Sequence, residues 1–163
     1  MISIRQARID DMLKIQHCNQ QCLPEHYKGS YYKYVLLGWP TLSFVAEDDN
    51  GKIIGYVMVK IDEEGGDDKK GFITSLSVAR PYRKLGIGET LLRLTSQALV
   101  DNYGATSVIL QVRISNKNAI NLYCNKLNFE KKSIIKEYYT DGEDAHLLSK
   151  DLAKLERFDN PLK

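Results

Sequence analysis

Two cationic side chains and two glycines stand together in Arg83-Lys84-Leu85-Gly86-Ile87-Gly88, a combination able to hold an anion. Upstream, Gly71 to Val78 alternates as a β-strand does, and downstream Glu89 to Tyr103 sets Leu91, Leu94, Ala98 and Leu99 at helical spacing. A helix is therefore expected to start near Gly86. Its first turn presents unpaired N–H groups and the positive end of a dipole, and glycine lets an anion approach the backbone. Pyrophosphate suits such a cradle. The P-loop pattern GxxxxGK[ST] does not occur, and the dinucleotide fingerprint GxGxxG fails because Leu91 stands where its third glycine belongs. What remains is RxxGxG between a strand and an amphipathic helix. Taken alone, this is also how a helix start behind a solvated basic pair reads.

A second group lies downstream, in Asn116-Lys117-Asn118-Ala119-Ile120-Asn121-Leu122-Tyr123. Two helical turns separate Asn116 from Tyr123, which places both side chains on one face, able to meet one arm of a ligand. Tyr123 reads equally as a core tyrosine with a satisfied hydroxyl. Cys18 and Cys22 share a helix face near His17 and His26, but no second ligand pair at metal spacing follows, so they read as small buried thiols and no metal is assigned.

These residues need elements to hold them. Ile2 to Arg8 reads as a strand, and Asp10 as the cap of a helix carrying Met12, Leu13, Ile15, Cys18 and Cys22 that ends at Pro24. Tyr27 to Gly38 contains a short helix stopped by Gly38 and Pro40. Leu42 to Glu47 and Lys52 to Ile61 form a hairpin about Asn50-Gly51, both strands apolar enough to be central. The charged, glycine-bearing stretch Asp62 to Gly71 reads as a solvated loop before the next strand. Ser107 to Val112 is a buried strand, Asn116 to Leu127 a helix, and Lys131 to Ile135 with Ala145 to Leu152 a closing hairpin whose long connection carries Tyr138 and Tyr139. The order β-α-α-β-β-β-α-β-α-β-β predicts a single-domain α/β fold, with antiparallel strands early and parallel crossovers later. We take residues 1–155 as that domain and 156–163 as a short C-terminal tail.

With 163 residues, 43% of them hydrophobic, the chain can bury a core without staples. Lys and Arg exceed the acids only by 23 to 21, so no global charge draws it to nucleic acid or an anionic membrane, and any anion site is local. No apolar run approaches a membrane span, the N-terminus lacks a signal-peptide core, and an odd count of three cysteines suits a reducing compartment. The expected location is cytoplasmic, with a nuclear fraction allowed.

RxxGxG followed by Asn116, Ala119, Leu122 and Tyr123 resembles the acetyl-CoA loop and the NxxAxxLY segment of the GNAT acetyltransferase superfamily. The resemblance extends along essentially the whole chain. Gln16-His17-Cys18-Asn19, Cys22-Leu23-Pro24-Glu25, Glu47-Asp48, Asn50-Gly51-Lys52-Ile53, Gly55-Tyr56-Val57, Ile73-Thr74-Ser75-Leu76 and Tyr138 to Ala145 are similar to the catalytic subunits of NatA-type protein N-terminal acetyltransferases. This implies a GNAT fold, a mixed central sheet flanked by helices. It also implies acetyl transfer from acetyl-CoA to the α-amine of nascent chains starting Ser, Ala, Thr, Gly, Val or Cys after methionine removal, or acidic residues when the subunit is isolated. A large helical-repeat auxiliary subunit, docking the enzyme at the ribosome, is implied too.

By the same resemblance Leu76, Ser77, Val78, Arg83, Lys84, Leu85, Gly86, Ile87, Gly88, Asn116 and Tyr123 hold the cofactor. Glu25 organises amine deprotonation, the Val78 N–H polarises the thioester carbonyl, and Tyr123 serves the departing thiolate. Arg113 orients Glu25, or is a structural ion-pair partner. Leu23, Pro24, Glu25, Tyr27, Tyr138 and Tyr139 bind the peptide. Only a weak base is needed, because about a tenth of an α-amine with pKa near 8 is neutral at pH 7, against under a thousandth of a lysine. Phe72 departs from the pattern, standing where many relatives carry a histidine proposed to assist proton transfer; either that histidine is dispensable, as the amine pKa suggests, or Glu63 with water substitutes for it. Lys84 replaces an arginine, which keeps the charge but not the bidentate geometry. The remaining alternatives are a lysine or Met-starting acceptor, and a CoA-binding module without turnover.

Overall fold

Ten consecutive residues of Ile53–Asp62 form the longest described strand, and its first seven residues are all buried, so both faces of the sheet must be covered at that point. The computed structural model describes residues 1–22, 29–62, 66 and 68–162. Its strands are β1 (Ser3–Gln6), β2 (Phe44–Glu47), β3 (Ile53–Asp62), β4 (Lys70–Val78), β5 (Ser107–Arg113), β6 (Glu130–Ile135) and β7 (Ala145–Asp151). The helices are α1 (Met12–Cys22), α2 (Gly29–Gly38), α3 (Ile87–Tyr103) and α4 (Lys117–Asn121), the last continued by a π-helical turn over Leu122–Lys126. The expected element order is the observed one. The sheet runs β1-β2-β3-β4-β5-β7-β6.

Among the described residues only β4 and β5 are parallel; every other neighbouring pair is antiparallel. The expectation of parallel crossovers after β4 is thus corrected to one, through α3. The closing hairpin inserts its second strand, β7, beside β5 and leaves the exposed, lysine-bearing β6 at the edge, where charge discourages further pairing. Ile54, Val57, Val59, Ile73, Leu91, Leu92, Leu99, Val108 and Leu110 build the core on the α3 face, and Ile15, Cys18, Tyr32, Val35, Tyr56 and Met58 build it under α1 and α2.

Sequence and structure part at α1. A short 3-10 turn, Ile9–Asp11, precedes it, and the Asp11 carboxylate rather than Asp10 accepts the Arg8 N–H at 2.8 Å. Leu13 is 70% exposed, so the buried stripe is Asp11, Ile15, Cys18 and Asn19. Two of those four are polar, each held by a partner that hydropathy cannot show: Arg5 for Asp11 and Tyr56 for Asn19. Residues 156–162 pack back on the domain. Arg157 pairs with Asp101, the Phe158 N–H donates to Gln97 Oε1, and Asn160 Nδ2 donates to the Ile4 carbonyl.

Candidate active site

The β4–β5 ladder lasts only from Lys70↔Ser107 to Phe72↔Ile109. Beyond it β4 stays paired with β3 as far as Val78↔Gly55, and β5 with β7 as far as Arg113↔Ala145, so the two parallel strands part while each keeps its outer neighbour. A cleft of about 770 Å³ opens between them, lined by residues 73–78 of β4 and 110–113 of β5. A bulge accompanies the parting. Thr74 is skipped between Met58↔Ser75 and Val59↔Ile73, which reverses the alternation of β4. Gly71 and Ile73 face α3 before it; after it Leu76 and Val78 face α3, and Ser75 reaches Tyr56 on the α1 face.

The bulge and the parting aim one backbone donor. The Ala79 N–H bonds the Ile54 carbonyl across the β3 side, so the preceding N–H, that of Val78, points the other way, into the cleft. A carbonyl oxygen set there would meet it. At the same end Gly86 caps α3 with φ 81°, a conformation glycine takes without cost. The first intrahelical bond, Thr90 N–H to the Gly86 carbonyl, leaves the amides before it for an outside acceptor. Arg83 folds back, its Nε donating to the Val78 carbonyl at 2.8 Å, and among the described residues its terminal nitrogens have no protein acceptor. Glu89, the acid in the first turn, is paired with Arg93 at 2.8 Å and so opposes an anion less. Glycine-capped amides, Arg83 and Lys84 together fit a pyrophosphate.

Leu76, Ser77, Val78, Arg83, Lys84, Gly86, Ile87, Gly88, Arg113, Asn116, Tyr123, Tyr138 and Tyr139 all line this one cleft. Leu85 does not. Left-handed backbone on both sides of it, Lys84 at φ 66° and Gly86 at φ 81°, turns its side chain out to 64% exposure. Leu23, Pro24, Glu25 and Tyr27, with the substitute Glu63, fall outside the described residues. Phe72 is absent from the cleft lining and lies instead under Lys60, whose Nζ is 5.8 Å from its ring centroid.

The α4 segment is not the regular helix its spacing suggests. Asn116 caps it, accepting the Ala119 N–H, and the π turn from Leu122 swings Tyr123 inward to pack on Phe129, the centroids 5.8 Å apart. Tyr123 is 7% exposed, and its hydroxyl has no hydrogen-bond partner among the described residues although it lines the cleft. Burial, with the nearby Tyr139 adding to it, pushes its pKa well above the phenol range, so the hydroxyl keeps its proton and is a hydrogen-bond donor at neutral pH.

At the opposite mouth Arg113 Nη1 bonds both Asp141 and Glu143 at 2.8 Å. Glu143 also accepts the Ser115 N–H, and Tyr138 stacks edge-on against Tyr139 while its hydroxyl reaches Gln111. These contacts are those of an ion-pair partner, and the expected orientation of Glu25 by Arg113 falls outside the described residues. The Glu143 N–H and the Arg113 guanidinium hold the Asp141 carboxyl below its ordinary range, and the Ser115 hydroxyl, Arg113 and the Ser115 N–H do the same for Glu143, so both stay charged at neutral pH. Tyr31 of α2, which does not itself line the cleft, is bonded to Thr74 and close to Tyr138, with burial raising its pKa. Sequence reading passed over Tyr31, whose only signal was the tyrosine-rich composition of its segment.

Known proteins match along the chain. The family model described as acetyltransferase (GNAT) family matches residues 9–129. The chain is 47% identical over 153 residues to the N-alpha-acetyltransferase daf-31 of Caenorhabditis elegans, covering 94% of this chain and 84% of that protein. It is 45% identical over 161 residues to the N-terminal acetyltransferase A complex catalytic subunit ard1 of Schizosaccharomyces pombe, covering 98% and 90%. Among solved structures, one chain of the NatC complex bound to Gag peptide and CoA superposes with a TM-score of 0.84 at 25% identity, covering 91% of this chain and 96% of that one.

Proposed function

This chain belongs to the acetyltransferase (GNAT) family, and we infer that it transfers acetyl from acetyl-CoA to the free α-amine of protein N-termini. The observation that carries this reading is the passage between β4 and β5, with a glycine-capped anion cradle at one end and the Tyr138-Tyr139 rim at the other. Donor and acceptor enter from opposite ends and meet at Val78.

Bound acetyl-CoA supplies an activated thioester. Around it the α3 amides, Arg83 and Lys84 bind the pyrophosphate, the Val78 N–H takes up charge developing on the carbonyl oxygen, and the Tyr123 hydroxyl donates to the departing sulfur. Arg113, by fixing Asp141 and Glu143, fixes the loop that carries Tyr138 and Tyr139 across the peptide path. Those two rings narrow the mouth against a side chain entering sideways and favour a chain end. Glu25 accepts the amine proton through water, and Leu23 with Tyr27 contacts the first residues. The S. pombe relative is the catalytic subunit of a complex, and we extend that to this chain: a cytoplasmic catalytic subunit on a large helical-repeat partner near the ribosome exit.

The test is incubation with labelled acetyl-CoA and peptides starting Ser, Ala, Met or Glu, beside an N-blocked peptide containing lysine. Label on the Ser and Ala peptides is expected. Transfer to the blocked peptide alone defeats the reading.

A further inference from the structure

Tyr56 is wholly buried in the apolar layer between the sheet and α1, yet its hydroxyl is a hub. Asn19 Nδ2, from α1, donates to it at 2.7 Å, and it shares a 2.7 Å hydrogen bond with Ser75 Oγ, directly after the β4 bulge. Asn19 Oδ1 and the Ser77 hydroxyl are buried in the same region without partners among the described residues, and Ser77 lies opposite Tyr56 in the ladder. Buried polar groups cost stability unless bonded, and a half-satisfied network costs more than an apolar filling of the same volume. Packing alone does not call for Asn19, Tyr56 and Ser75 here.

The need arises where β4 leaves β5. From Ile73 onward the strand has a ladder on one side only, and the Val78 N–H depends on how that stretch is held. Two of the side-chain ties that steady it are Thr74 Oγ1 to the Met58 carbonyl at 3.1 Å and Ser75 to Tyr56. Through Asn19 the second tie also reaches α1, the helix leading into the segment assigned above to the acceptor.

We propose that Tyr56 is a positioning residue for acetyl transfer, its hydroxyl locking α1 to the half-paired stretch of β4 and so fixing the distance between the acceptor and the Val78 N–H. The proposal rests on the acetyl-transfer reading. Neither Tyr56 nor Asn19 touches the reacting atoms; they act through the elements they join, and small misplacements of reacting groups are costly in rate.

The test uses the full chain with a Ser-starting peptide. Tyr56→Phe keeps the ring and removes the hub, and roughly a tenfold fall in kcat is expected, with the KM for acetyl-CoA changed by less than about twofold. Tyr56→Phe/Asn19→Leu removes the amide left unbonded. Its melting temperature is expected to return to within a few degrees of wild type while kcat stays low, because the tie is still missing. Recovery of kcat together with stability overturns the proposal, as does wild-type kcat in Tyr56→Phe. Amide hydrogen exchange over residues 73–78 reads the same tie without turnover: faster exchange in both variants is expected, and unchanged exchange overturns it. A wild-type chain that labels no peptide N-terminus defeats the acetyl-transfer reading instead, and exchange still decides the role of Tyr56.

Discussion

The Arg113 guanidinium lies 4.1 Å from the centroid of the Tyr139 ring while its Nη1 holds Asp141 and Glu143, so one side chain from β5 fastens the β6–β7 connection at three points. A loop fixed in this way presents Tyr138 and Tyr139 as rigid walls. Arg113→Ala removes all three contacts and leaves two acids facing each other. The expected result is a rise of roughly tenfold in the peptide KM, with the acetyl-CoA KM close to wild type, since the cradle at α3 is untouched. Arg113→Lys restores charge but not the fork or the stacking and is expected to recover only part of the loss. Steady-state kinetics with each substrate varied separate these outcomes.

Tyr123 combines burial with an unpartnered hydroxyl on the cleft. Tyr123→Phe keeps the packing against Phe129, so the melting temperature is expected to hold, while kcat falls by about 10²-fold if the hydroxyl serves the leaving sulfur. Because the pKa is raised, the phenol stays protonated through pH 10, and the wild-type rate profile is expected to show no falling limb from Tyr123 below that pH. An unchanged kcat in Tyr123→Phe would reduce this residue to core packing.

The element order was legible because strong local signals agree with the final packing: Asn50-Gly51 at the hairpin, Gly86 ahead of α3, and the apolar, β-rich run of Ser107 to Val112. The cleft residues were legible because RxxGxG and Asn116 to Tyr123 are contiguous motifs. What sequence spacing hides is non-local. The bulge at Thr74 reverses the faces of β4 without any change in residue type, so the tie between Ser75 and Tyr56 has no local signature. The order β5-β7-β6 depends on which strand of a hairpin buries better, and the π turn at Leu122 on tertiary packing of Tyr123. Leu13 was misplaced because Asn19 and Asp11 take core positions that hydropathy reserves for apolar residues.

Phe72, the departure from the resembled family's pattern, does not line the cleft and lies under Lys60. A base at that position would have no short path to an amine at Val78. Phe72→His is therefore expected to leave kcat within about twofold of wild type and to add no new ionisation to the pH profile of kcat/KM. A rise in rate with a new limb near pH 6.5 would mean that proton transfer does run through this position.

Asp11 is 2% exposed, and its carboxylate meets Arg5 through two 2.8 Å hydrogen bonds while accepting the Arg8 N–H. Burial pushes the carboxyl pKa up, but the Arg5 and Arg8 contacts together outweigh it and leave the group below its ordinary value. A carboxyl with a folded pKa below its unfolded one adds stability above the unfolded pKa, near pH 4, and loses it as pH falls through the folded value. Asp11→Asn keeps an acceptor for the Arg8 N–H but replaces the second oxygen with an amide NH2 facing Arg5, so it removes the charge and one of the two acceptors for the guanidinium. A loss of about 2 kcal/mol is expected at pH 7 from urea unfolding. The gap between variant and wild type is expected to stay constant from pH 7 to pH 5 and to narrow below about pH 4 as the wild-type carboxyl takes up its proton. A gap as wide at pH 3 as at pH 7 would show that the ion pair with Arg5 is not what Asp11 contributes.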